Sequence, residues 1–520
     1  MSLDSPGEAA VVRTSGGNLA IDALFDPAER HPDRTALLAG DARYSYAEVA
    51  DLTASFAARL ADRNIGLGDR VMIALPDSAA FVAAFFGTLC LGAVAVPVAA
   101  GATAEEIAHL IRTTEARLVV VHPSSATPLP AGIAVLEADA SQPSGGAPGP
   151  VPAEPAMIEP EALAYLLFSS GSTGQAKGIP HRHVDLLHCA RAYADGVMGY
   201  RPDDVVLCVP KLSFGYALGC NLVFPLLAGS TSILLEPIPT DAVLAAAAER
   251  HSPTIFIGQP RNLVGMIESG SDGPYGRLRM AVVAGEKLSP SLALRWTETF
   301  PNVPLLDGYG TTEANAIFIS NTPTESRPGS VGKLLPGYEV RITHGDGETL
   351  VGPGEIGELW FRGPSACREY WNNPAATADR IRDGWIRTGD LFSRDSDGYF
   401  FMHGRVDDML KVGCGEWVAP LAVEAAIQTD ARVAECAVTG QPDEHGVIQL
   451  KASVLPVAGT RPTRTLRDAV VQAVADAFPE KPSHRLYEVE FVSDFPRTLT
   501  GKIDRQRLRS HSQTEFGYQC

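Results

Sequence analysis

The chain contains the sequence Ser169-Ser170-Gly171-Ser172-Thr173-Gly174-Gln175-Ala176-Lys177-Gly178 directly after a short apolar run at residues 165–168. An apolar run of this length that ends at turn residues predicts a buried strand. Glycine lets backbone N–H groups approach an anion closely, and serine and threonine hydroxyls add further donors. Lys177 supplies a compact positive charge at the end of the loop. The stretch therefore predicts a strand that leads into a polyphosphate-binding loop.

The spacing of this loop differs from that of a P-loop. A P-loop has the order G-x-x-x-x-G-K-[ST], whereas residues 171–178 have the order G-x-x-G-x-x-K-G. The alternative interpretation is a flexible Gly/Ser turn that contains a chance lysine. Motifs elsewhere in the chain are needed to distinguish these two interpretations.

Length and composition indicate a globular protein of more than one domain. A chain of 520 residues is too long for one ordinary core, and 45% apolar with 20% charged residues is typical of folded proteins. The formal charge of −18 argues against nucleic acid or an anionic membrane as a general partner, because both attract basic surfaces. Anionic substrates need only local positive charge and are compatible with this balance.

The cysteines and the N-terminus predict a reduced, cytoplasmic protein. The eight cysteines are scattered, with no C-x-x-C pair and no histidine cluster, so we do not expect a zinc site. A low cysteine density without a secretory signal indicates free thiols, most of them buried as small apolar residues.

One uncharged stretch, residues 79–101, is long enough to span a bilayer. However, Gly87, Gly92 and Pro97 interrupt it, and its apolar pattern changes from helix-like to strand-like. We therefore expect a buried helix followed by a buried strand, with a transmembrane helix as the alternative.

Helical and strand-like segments alternate through most of the chain. Short apolar strands lie between amphipathic or apolar helices, a pattern that predicts a mostly parallel sheet covered on both faces. Residues 123–160 are rich in Pro, Ala, Gly and Ser and are interpreted as a surface connection without a function of its own. From Gly329 onward short strands and frequent turns predict a small β-rich subdomain, and after Asp408 the pattern indicates a small α+β unit.

Residues 305–313, LLDGYGTTE, carry groups suited to a nucleotide on what we predict to be a glycine-hinged turn. Tyr309 can stack on a purine base. The hydroxyls of Thr311 and Thr312 can bond phosphate oxygens, and Glu313 can hold a hard divalent ion. The alternatives are a core aromatic for Tyr309 and an ordinary solvated acid for Glu313.

Further positions fit a nucleotide site at a sheet edge. The strand predicted at residues 280–283 runs into Gly285 and Glu286, at the kind of edge where ligands gather in open α/β folds. Asp390 follows a strand-like run, where a carboxylate can accept two ribose hydroxyls. Lys502 lies on a Thr/Gly loop near the C-terminus, a place where a lysine by itself is usually solvated.

Six motifs, in the order SSGSTGQAKG, AGEKL, DGYGTTE, RTGD, GRVDD and RTLTGKI, resemble those of the adenylate-forming superfamily of acyl/aryl-CoA ligases, peptide-synthetase adenylation domains and luciferases. The resemblance covers residues 18–509, and six ordered motifs are far more specific than any one of them. It argues against the chance-turn interpretation of residues 169–178. Within the superfamily, residues 211–221 and the sequence DDMLKV followed by EWVAPLAVE are most similar to the benzoate-CoA ligase branch.

The resemblance implies an α/β fold with a large N-terminal adenylating domain, residues 1–404, made of stacked mixed and parallel sheets plus the β-rich subdomain. A hinge at residues 405–408, with Asp407 as the hinge residue, would connect it to a small mobile α+β C-terminal domain, residues 409–520. It also implies two reactions. A carboxylate attacks the α-phosphorus of Mg-ATP to give an acyl-adenylate and pyrophosphate, and the coenzyme A thiol then displaces AMP.

The resemblance also assigns roles to residues. It places the β- and γ-phosphates on Ser170, Gly171, Ser172, Thr173, Gly174 and Lys177, and magnesium on Thr173 and Glu313. It places adenine against Tyr309, Gly285 and Glu286, within a nucleotide site that includes Asp307, Gly308, Gly310, Thr311 and Thr312. It places the ribose on Asp390 and Arg405, and it makes Lys502, Thr173, Glu313 and Lys177 the catalytic set.

Lys502 would reach both the carboxylate and the α-phosphate oxygens, where two anions must meet before a bond forms. In the family the C-terminal domain takes one orientation for each half-reaction, so Lys502 would act only in adenylation. The loop that carries Lys411, Gly413 and Trp417 would line the pantetheine tunnel in the other orientation. The sequence KVGCGEWVAP is one residue longer than the family's usual loop, which leaves the approach of the thiol open.

The resemblance places the acid pocket at Phe214, Gly215, Tyr216, Gly310, Asn315 and Ala316. The first segment lacks the aspartate that pairs an amino acid's ammonium group in adenylation domains, and its two aromatics indicate a short, flat pocket. Relatives that use unsubstituted benzoate usually have alanine in place of Gly215 and histidine in place of Ala316. Both differences enlarge the pocket. We therefore predict 2-aminobenzoate (anthranilate) as the acid, with Tyr216 or Asn315 beside its amine.

Benzoate or a hydroxybenzoate is the alternative acid. A second alternative is a stand-alone adenylating enzyme that loads the acid onto the phosphopantetheine of a carrier protein. A third, an adenylate-binding protein without activity, is disfavoured by intact Lys177, Glu313, Asp390 and Lys502. The predicted partners are an aromatic carboxylic acid, ATP and coenzyme A, in a monomer or a homodimer.

Overall fold

The computed structural model describes residues 17–139, 155–170, 176–236, 239–345, 347–413, 416–443, 445–457, 459–497, 503–505 and 507–508. Several predicted site residues lie outside this set, namely Gly171, Ser172, Thr173, Gly174 and Lys502. Ser170 is described through its backbone alone.

The strands of the described residues fall into five sheets. In chain order they are β1 (Thr35–Ala39), β2 (Ala42–Ser45), β3 (Arg70–Ala74), β4 (Val94–Pro97), β5 (Leu118–Val121), β6 (Ala134–Glu137), β7 (Leu163–Ser170), β8 (Ala176–Arg182), β9 (Val205–Cys208), β10 (Thr231–Leu234), β11 (Ile255–Gly258), β12 (Met280–Ala284), β13 (Leu305–Gly310), β14 (Ile317–Ser320), β15 (Lys333–Leu334), β16 (Glu339–Thr343), β17 (Gly357–Arg362), β18 (Ile381–Arg382), β19 (Trp385–Arg394), β20 (Phe400–Arg405), β21 (Leu410–Lys411), β22 (Trp417–Val418), β23 (Val433–Pro442), β24 (Ile448–Pro456) and β25 (Leu486–Phe491).

The helices alternate with these strands through the first three hundred residues. They are α1 (Asp26–Arg30), α2 (Tyr46–Ala61), α3 (Ala79–Cys90), α4 (Ala104–Thr114), α5 (Asp185–Cys189), α6 (Gly215–Ala217), α7 (Phe224–Leu227), α8 (Asp241–His251), α9 (Asn262–Ser269), α10 (Pro290–Thr299), α11 (Pro374–Arg380), α12 (Pro420–Ile427) and α13 (Arg464–Ala477). Segments with π-type hydrogen bonding precede α1 (Ile21–Phe25), extend α5 (Ala190–Met198) and join α6 to α7 (Leu218–Val223).

Two large sheets form the N-terminal domain. The first has the strand order β6-β5-β3-β4-β7-β8, parallel throughout except for β8 at its edge. The second has the order β15-β14-β13-β12-β11-β9-β10-β1-β2, with a parallel centre and antiparallel strands at both ends. The predicted mixed and largely parallel architecture is confirmed.

The alternation of side chains along each strand explains how the sheets pack. In β3, Val71 and Ile73 belong to the large core that also holds α3 and one face of the second sheet, while Met72 faces a smaller core under α4. In β12, Val282 joins the shared core, while Val283 packs among α8, α9 and α10. Both sheets are thus covered on both faces, as parallel sheets require.

Serine and threonine side chains cap the N-termini of helices α2, α3 and α4. Ser45 and Glu48 form a capping box at the start of α2, and Thr103 and Glu106 form another at α4. Helix α3 starts at the Ser78 cap, and nearly all of its side chains are buried in the shared core before the chain turns into β4. In the part of the chain that the structure describes, no helix combines the length and apolarity needed to cross a bilayer.

Two local predictions were wrong. The predicted loop at residues 169–178 is too long at both ends, because Ser169 and Ser170 end β7 and residues 176–178 begin β8, an edge strand that pairs antiparallel with β7. The segment that carries Tyr309 is not a turn but the strand β13, paired with β12 on one side and β14 on the other. Gly310 permits this pairing, because a Cβ at this position would lie 2.3 Å from the carbonyl oxygen of Ala316.

The remaining strands form the predicted smaller units. Strands β16 to β20 make a five-stranded antiparallel sheet, which is the β-rich subdomain. Strands β23 to β25 pack with α12 and α13 around a separate core, which gives the α+β C-terminal domain. The large N-terminal and small C-terminal domains of the predicted fold class are confirmed.

Candidate active site

One acidic and one basic side chain, Asp390 and Arg405, meet a tyrosine where the β-rich subdomain faces the second large sheet. Asp390 in β19 and Arg405 in β20 are register partners, and Arg405 Nη1 donates to Asp390 Oδ1 at 2.8 Å. The hydroxyl of Tyr309 in β13 donates to Asp390 Oδ2 at 2.6 Å. Asp390 is buried, while Arg405 remains partly exposed. This geometry brings Tyr309, one of the predicted adenine residues, into one cluster with the two predicted ribose residues.

The ring of Tyr309 is largely buried. It makes edge-on contacts with Phe318 and Phe392, at centroid distances of 5.5 and 4.7 Å. Burial, together with the charge of Asp390, raises the pKa of Tyr309, so its hydroxyl stays a donor. Tyr309 therefore combines a largely buried ring with a hydroxyl that contacts Asp390.

The edge of the second sheet holds two further predicted positions. Strand β12 ends at Ala284, so Gly285 and Glu286 begin the loop that leaves the sheet edge. Asp307 in β13 lies opposite Val283 of β12 and is buried. Burial raises the pKa of Asp307, although the charge of Lys287 and backbone N–H groups oppose that shift.

Glu313 lies just beyond β13, in the short 3-10 segment Thr312–Ala314. Its Oε1 accepts a hydrogen bond from the Tyr370 hydroxyl at 2.8 Å. Lys177, the lysine of the loop motif, lies with its Nζ 5.5 Å from the centre of the Tyr370 ring. His181 Nε2 donates to the Thr312 carbonyl at 2.9 Å, which ties β8 to this segment. The structure thus brings Lys177 and Glu313 to the same tyrosine, the lysine over its ring and the carboxylate at its hydroxyl.

The donor set at Glu313 fits a magnesium ion that is shared with substrate phosphates. Among the described residues, no group of three or more His, Cys, Asp or Glu side chains is placed to hold a metal. Mg²⁺ usually binds one or two carboxylates, keeps several waters and takes its other oxygens from phosphates. A single carboxylate beside a phosphate loop is consistent with that mode, and such an ion would neutralise charge on the phosphates.

The wall of the predicted acid pocket is tightly packed around Gly215. A Cβ at this position would lie 2.8 Å from the Asn315 carbonyl oxygen, 2.9 Å from Leu167 Cδ1 and 3.4 Å from Asn315 Oδ1. Asn315 has a φ of 72°, a conformation that asparagine tolerates better than most residues. Phe214 precedes α6 and Ala316 directly follows Asn315, so the two predicted segments meet at this wall.

Two polar groups near this wall are buried without a hydrogen-bond partner in the described part of the chain, the Tyr216 hydroxyl and Asn315 Oδ1. The Nδ2 of Asn315 donates to the Tyr165 hydroxyl. Burial raises the pKa of Tyr216, whose neighbours include Tyr193 and Cys220. A buried polar atom without a partner is costly, so each is a candidate contact for a bound ligand.

Asp77 is a positioning residue that the sequence did not reveal. It lies between β3 and α3, is buried, and accepts a hydrogen bond from the Leu212 backbone N–H at 3.1 Å. Leu212 is two residues before Phe214, so Asp77 holds the segment that forms the pocket wall. Burial raises the pKa of Asp77 to about 6, although Lys211 and the Leu212 N–H oppose that shift.

The raised pKa of Asp77 predicts a pH-dependent stability. The folded-state pKa of about 6 lies above the ordinary value of 3.8, so the contribution to stability is present at low pH and is lost as the pH rises through 6. Relative to an Asp77→Asn variant, the wild type should lose roughly 3 kcal/mol of unfolding free energy between about pH 4 and 7. Denaturant unfolding of both proteins across this range checks the prediction, and a constant difference would contradict it.

The predicted pantetheine loop forms a short hairpin. Lys411 in β21 pairs with Trp417 in β22, and the Lys411 Nζ lies 5.9 Å from the indole. The indole is exposed, and the Gly413 N–H donates to the Ile448 carbonyl of β24 at 3.1 Å. Asp407, the predicted hinge residue, is exposed within the 3-10 segment Val406–Asp408 that directly follows β20.

The residues that flank Lys502 are anchored to the C-terminal domain. Arg505 forms a bidentate ion pair with buried Glu424, with N···O distances of 2.6 and 2.9 Å. Arg497 pairs with Glu435 at 2.7 Å and forms an isolated bridge with Ile503. Chain segments on both sides of Lys502 are therefore fixed, whereas Lys502 itself lies outside the described residues.

Comparisons with known proteins identify the family of the chain. The family model described as "AMP-binding enzyme" matches residues 24–371, and "AMP-binding enzyme C-terminal domain" matches residues 422–502. The chain is 36% identical to the benzoate–CoA ligase of Thauera aromatica over 455 residues, covering 85% of this chain and 86% of that protein. It is 33% identical to the 3-hydroxybenzoate–CoA ligase of Aromatoleum sp. (strain CIB), covering 95% and 97%.

A solved structure shows the same overall fold. The anthranilate CoA ligase AuaEII, crystallised in complex with anthranoyl-AMP, superposes with a TM-score of 0.88 at 32% identity. The match covers 96% of this chain and 98% of that one. The chain therefore belongs to the AMP-binding enzyme family, the adenylate-forming ligases, of which it carries both the large domain and the C-terminal domain.

Proposed function

We propose that this chain is an AMP-forming aryl-CoA ligase whose acid is anthranilate (2-aminobenzoate). The observation that carries the choice of acid is Asn315 Oδ1, a buried acceptor without a partner among the described residues. It lies 3.4 Å from the position that a Cβ on residue 215 would occupy. The glycine at residue 215 thus allows Asn315 to pack closely against the segment that carries Phe214 and Tyr216, which brings this acceptor to the wall of the proposed acid pocket.

An ortho amine matches this acceptor. The amine of anthranilate can donate a hydrogen bond to Asn315 Oδ1, whereas benzoate leaves that oxygen buried and unpaired. A donor at the para position of the ring, as in 4-hydroxybenzoate, points away from the carboxylate end. The similarity to a ligase crystallised with anthranoyl-AMP supports the same choice.

The chemistry of the two steps places different demands on the chain. In the first, a carboxylate oxygen bonds to the α-phosphorus and the bond to pyrophosphate breaks. We assign the ribose to Asp390 and Arg405, the phosphates to the loop that ends at Lys177, and magnesium to Glu313 with Thr173. In the second, the thiol sulfur bonds to the acyl carbon, the bond to AMP breaks, and the thiol proton is released to water.

The alternatives concern the acid and the acceptor. Relatives that are ligases of benzoate and 3-hydroxybenzoate keep both acids open as candidates. A carrier-protein phosphopantetheine carries the same thiol as coenzyme A, so it too remains a candidate acceptor. Mass detection of the thioester product separates the two acceptors, because pyrophosphate exchange reports only the first step.

The experiment is a panel of aryl acids assayed with ATP and coenzyme A. We expect anthranilate to have the highest kcat/KM, above benzoate, 2-, 3- and 4-hydroxybenzoate. In an Asn315→Gly variant, which keeps the freedom to adopt a positive φ, the preference for anthranilate over benzoate should fall about tenfold, the effect of one hydrogen bond. Benzoate is the internal control. A far higher kcat/KM for benzoate or 4-hydroxybenzoate in the wild type would contradict the proposal.

A further inference from the structure

One chain segment, residues 364–371, contacts both the candidate metal carboxylate and the strand that leaves the phosphate loop. The Ser365 hydroxyl donates to the Ala314 carbonyl at 2.7 Å, and the Cys367 N–H donates to the Glu313 carbonyl at 2.9 Å. The Tyr370 hydroxyl donates to the Glu313 carboxylate at 2.8 Å. The segment therefore fixes Glu313 through its backbone and through its side chain.

The same segment is bonded to β8. The Trp371 N–H donates to the Gly178 carbonyl at 2.9 Å, one residue beyond Lys177. The Trp371 indole N–H donates to the Thr113 carbonyl at the end of α4, which anchors the segment to the first large sheet. Residues 364–371 thus fix the distance between β8 and Glu313.

Tyr370 lies between two opposite charges. The Lys177 ammonium faces its ring, which carries negative electrostatic potential, and the Glu313 carboxylate accepts from its hydroxyl. Within the part of the chain that the structure describes, Lys177 and Glu313 form no direct ion pair. A direct pair would neutralise both groups, so the intervening ring leaves the lysine available to phosphate and the carboxylate available to a metal ion.

We propose that Tyr370 is a positioning residue that keeps Lys177 and Glu313 apart and orients each of them toward Mg-ATP. The proposal rests on the nucleotide roles assigned above and is independent of which acid is used. The Tyr370 hydroxyl is the donor in its bond to Glu313, because an ionised carboxylate can only accept.

The variant Tyr370→Phe tests the contribution of the hydroxyl separately from that of the ring. It keeps an aromatic face beside Lys177 and removes only the hydrogen bond to Glu313. The affinity for a non-hydrolysable ATP analogue, measured by calorimetry, should fall about tenfold in the presence of Mg²⁺, since bonds to charged groups are among the stronger ones. Without Mg²⁺ the affinity should equal that of the wild type.

Two further variants make the test specific. In a Glu313→Gln background, adding Tyr370→Phe should cause no further loss of Mg²⁺-dependent affinity, because the shared interaction is already gone. Tyr46→Phe is the matched control, since it removes a buried tyrosine hydrogen bond to the Ser230 carbonyl, remote from this site. It should leave the Mg²⁺ dependence unchanged.

Two outcomes would overturn the role of Tyr370. One is wild-type Mg²⁺ dependence in Tyr370→Phe, and the other is an equal loss of affinity with and without Mg²⁺, which marks a purely structural role. A wild-type protein whose affinity for the analogue does not respond to Mg²⁺ would instead overturn the nucleotide roles on which the proposal rests.

Discussion

Replacing Lys502 with alanine is expected to abolish formation of the aryl-adenylate and largely to spare thioester formation from supplied aryl-adenylate. A positive charge placed where the carboxylate and the α-phosphate meet stabilises the transition state of the first step alone. Loss of even one preorganised donor typically lowers kcat by about 10²–10³-fold. The assigned role comes from the motif, and the anchored positions of Arg497 and Arg505 on either side are compatible with it.

The two half-reactions have to be measured separately. Acid-dependent pyrophosphate exchange reports adenylation, and mass detection of aryl-CoA from synthetic aryl-adenylate reports the second step. Lys481→Ala is the control, because Lys481 is an exposed lysine in the same domain. If Lys502→Ala slows both steps to the same extent, the separation of the half-reactions between two domain orientations is wrong for this enzyme.

The variant Glu424→Ala should destabilise the C-terminal domain by about 3–5 kcal/mol, the usual result of breaking a buried ion pair from one side. The Glu424 carboxylate is buried. It accepts hydrogen bonds from Arg505 Nη1 and Nη2 at 2.6 and 2.9 Å and from the Val438 N–H at 2.6 Å. Its removal leaves the Arg505 charge, three residues beyond Lys502, without this partner. Thermal unfolding and limited proteolysis of the domain measure the loss.

The exposed pair of Arg362 and Glu339 offers a control with the same bidentate geometry. Its distances are 2.9 and 2.7 Å, but both side chains are well exposed, so Glu339→Ala should change stability little. In Glu424→Ala, adenylation should also fall more than thioester formation from supplied aryl-adenylate. Equal stability losses in the two variants would show that burial does not set the strength of the Glu424–Arg505 pair.

The regular α/β part of the fold could be predicted because its strands are continuous apolar runs. The strand predicted at residues 280–283 differs from β12 by one residue, since strands buried on both faces need apolar residues at every position. Strand β8, AKGIPHR, was missed because it is an edge strand of mixed polarity. Strand β13 was missed because its glycines, usually rare in strands, are required by the close approach of β14.

The residues to which the sequence assigns nucleotide roles each lie within a short motif whose members are neighbours in sequence. Asp77 and Tyr370 lie in no such motif. Asp77 meets Leu212 across 135 positions, and Tyr370 meets Glu313 across 57, so only the folded chain reveals either contact. The resemblance assigned Asp390 and Arg405 a shared role in ribose binding. Their direct contact follows from the register of β19 and β20.

The contact between Leu167 and the position of Gly215 has a consequence for how this enzyme can evolve. Leu167 belongs to β7, where it pairs with Ile179 of β8, three residues before β7 ends at Ser170. A larger residue at 215 would press on Leu167 and therefore on strand β7, which leads into the predicted phosphate loop. Under the proposed roles of Gly215 and of this loop, we expect acid preference and nucleotide affinity to change together at this position, so selection for a different acid there would also act on ATP binding.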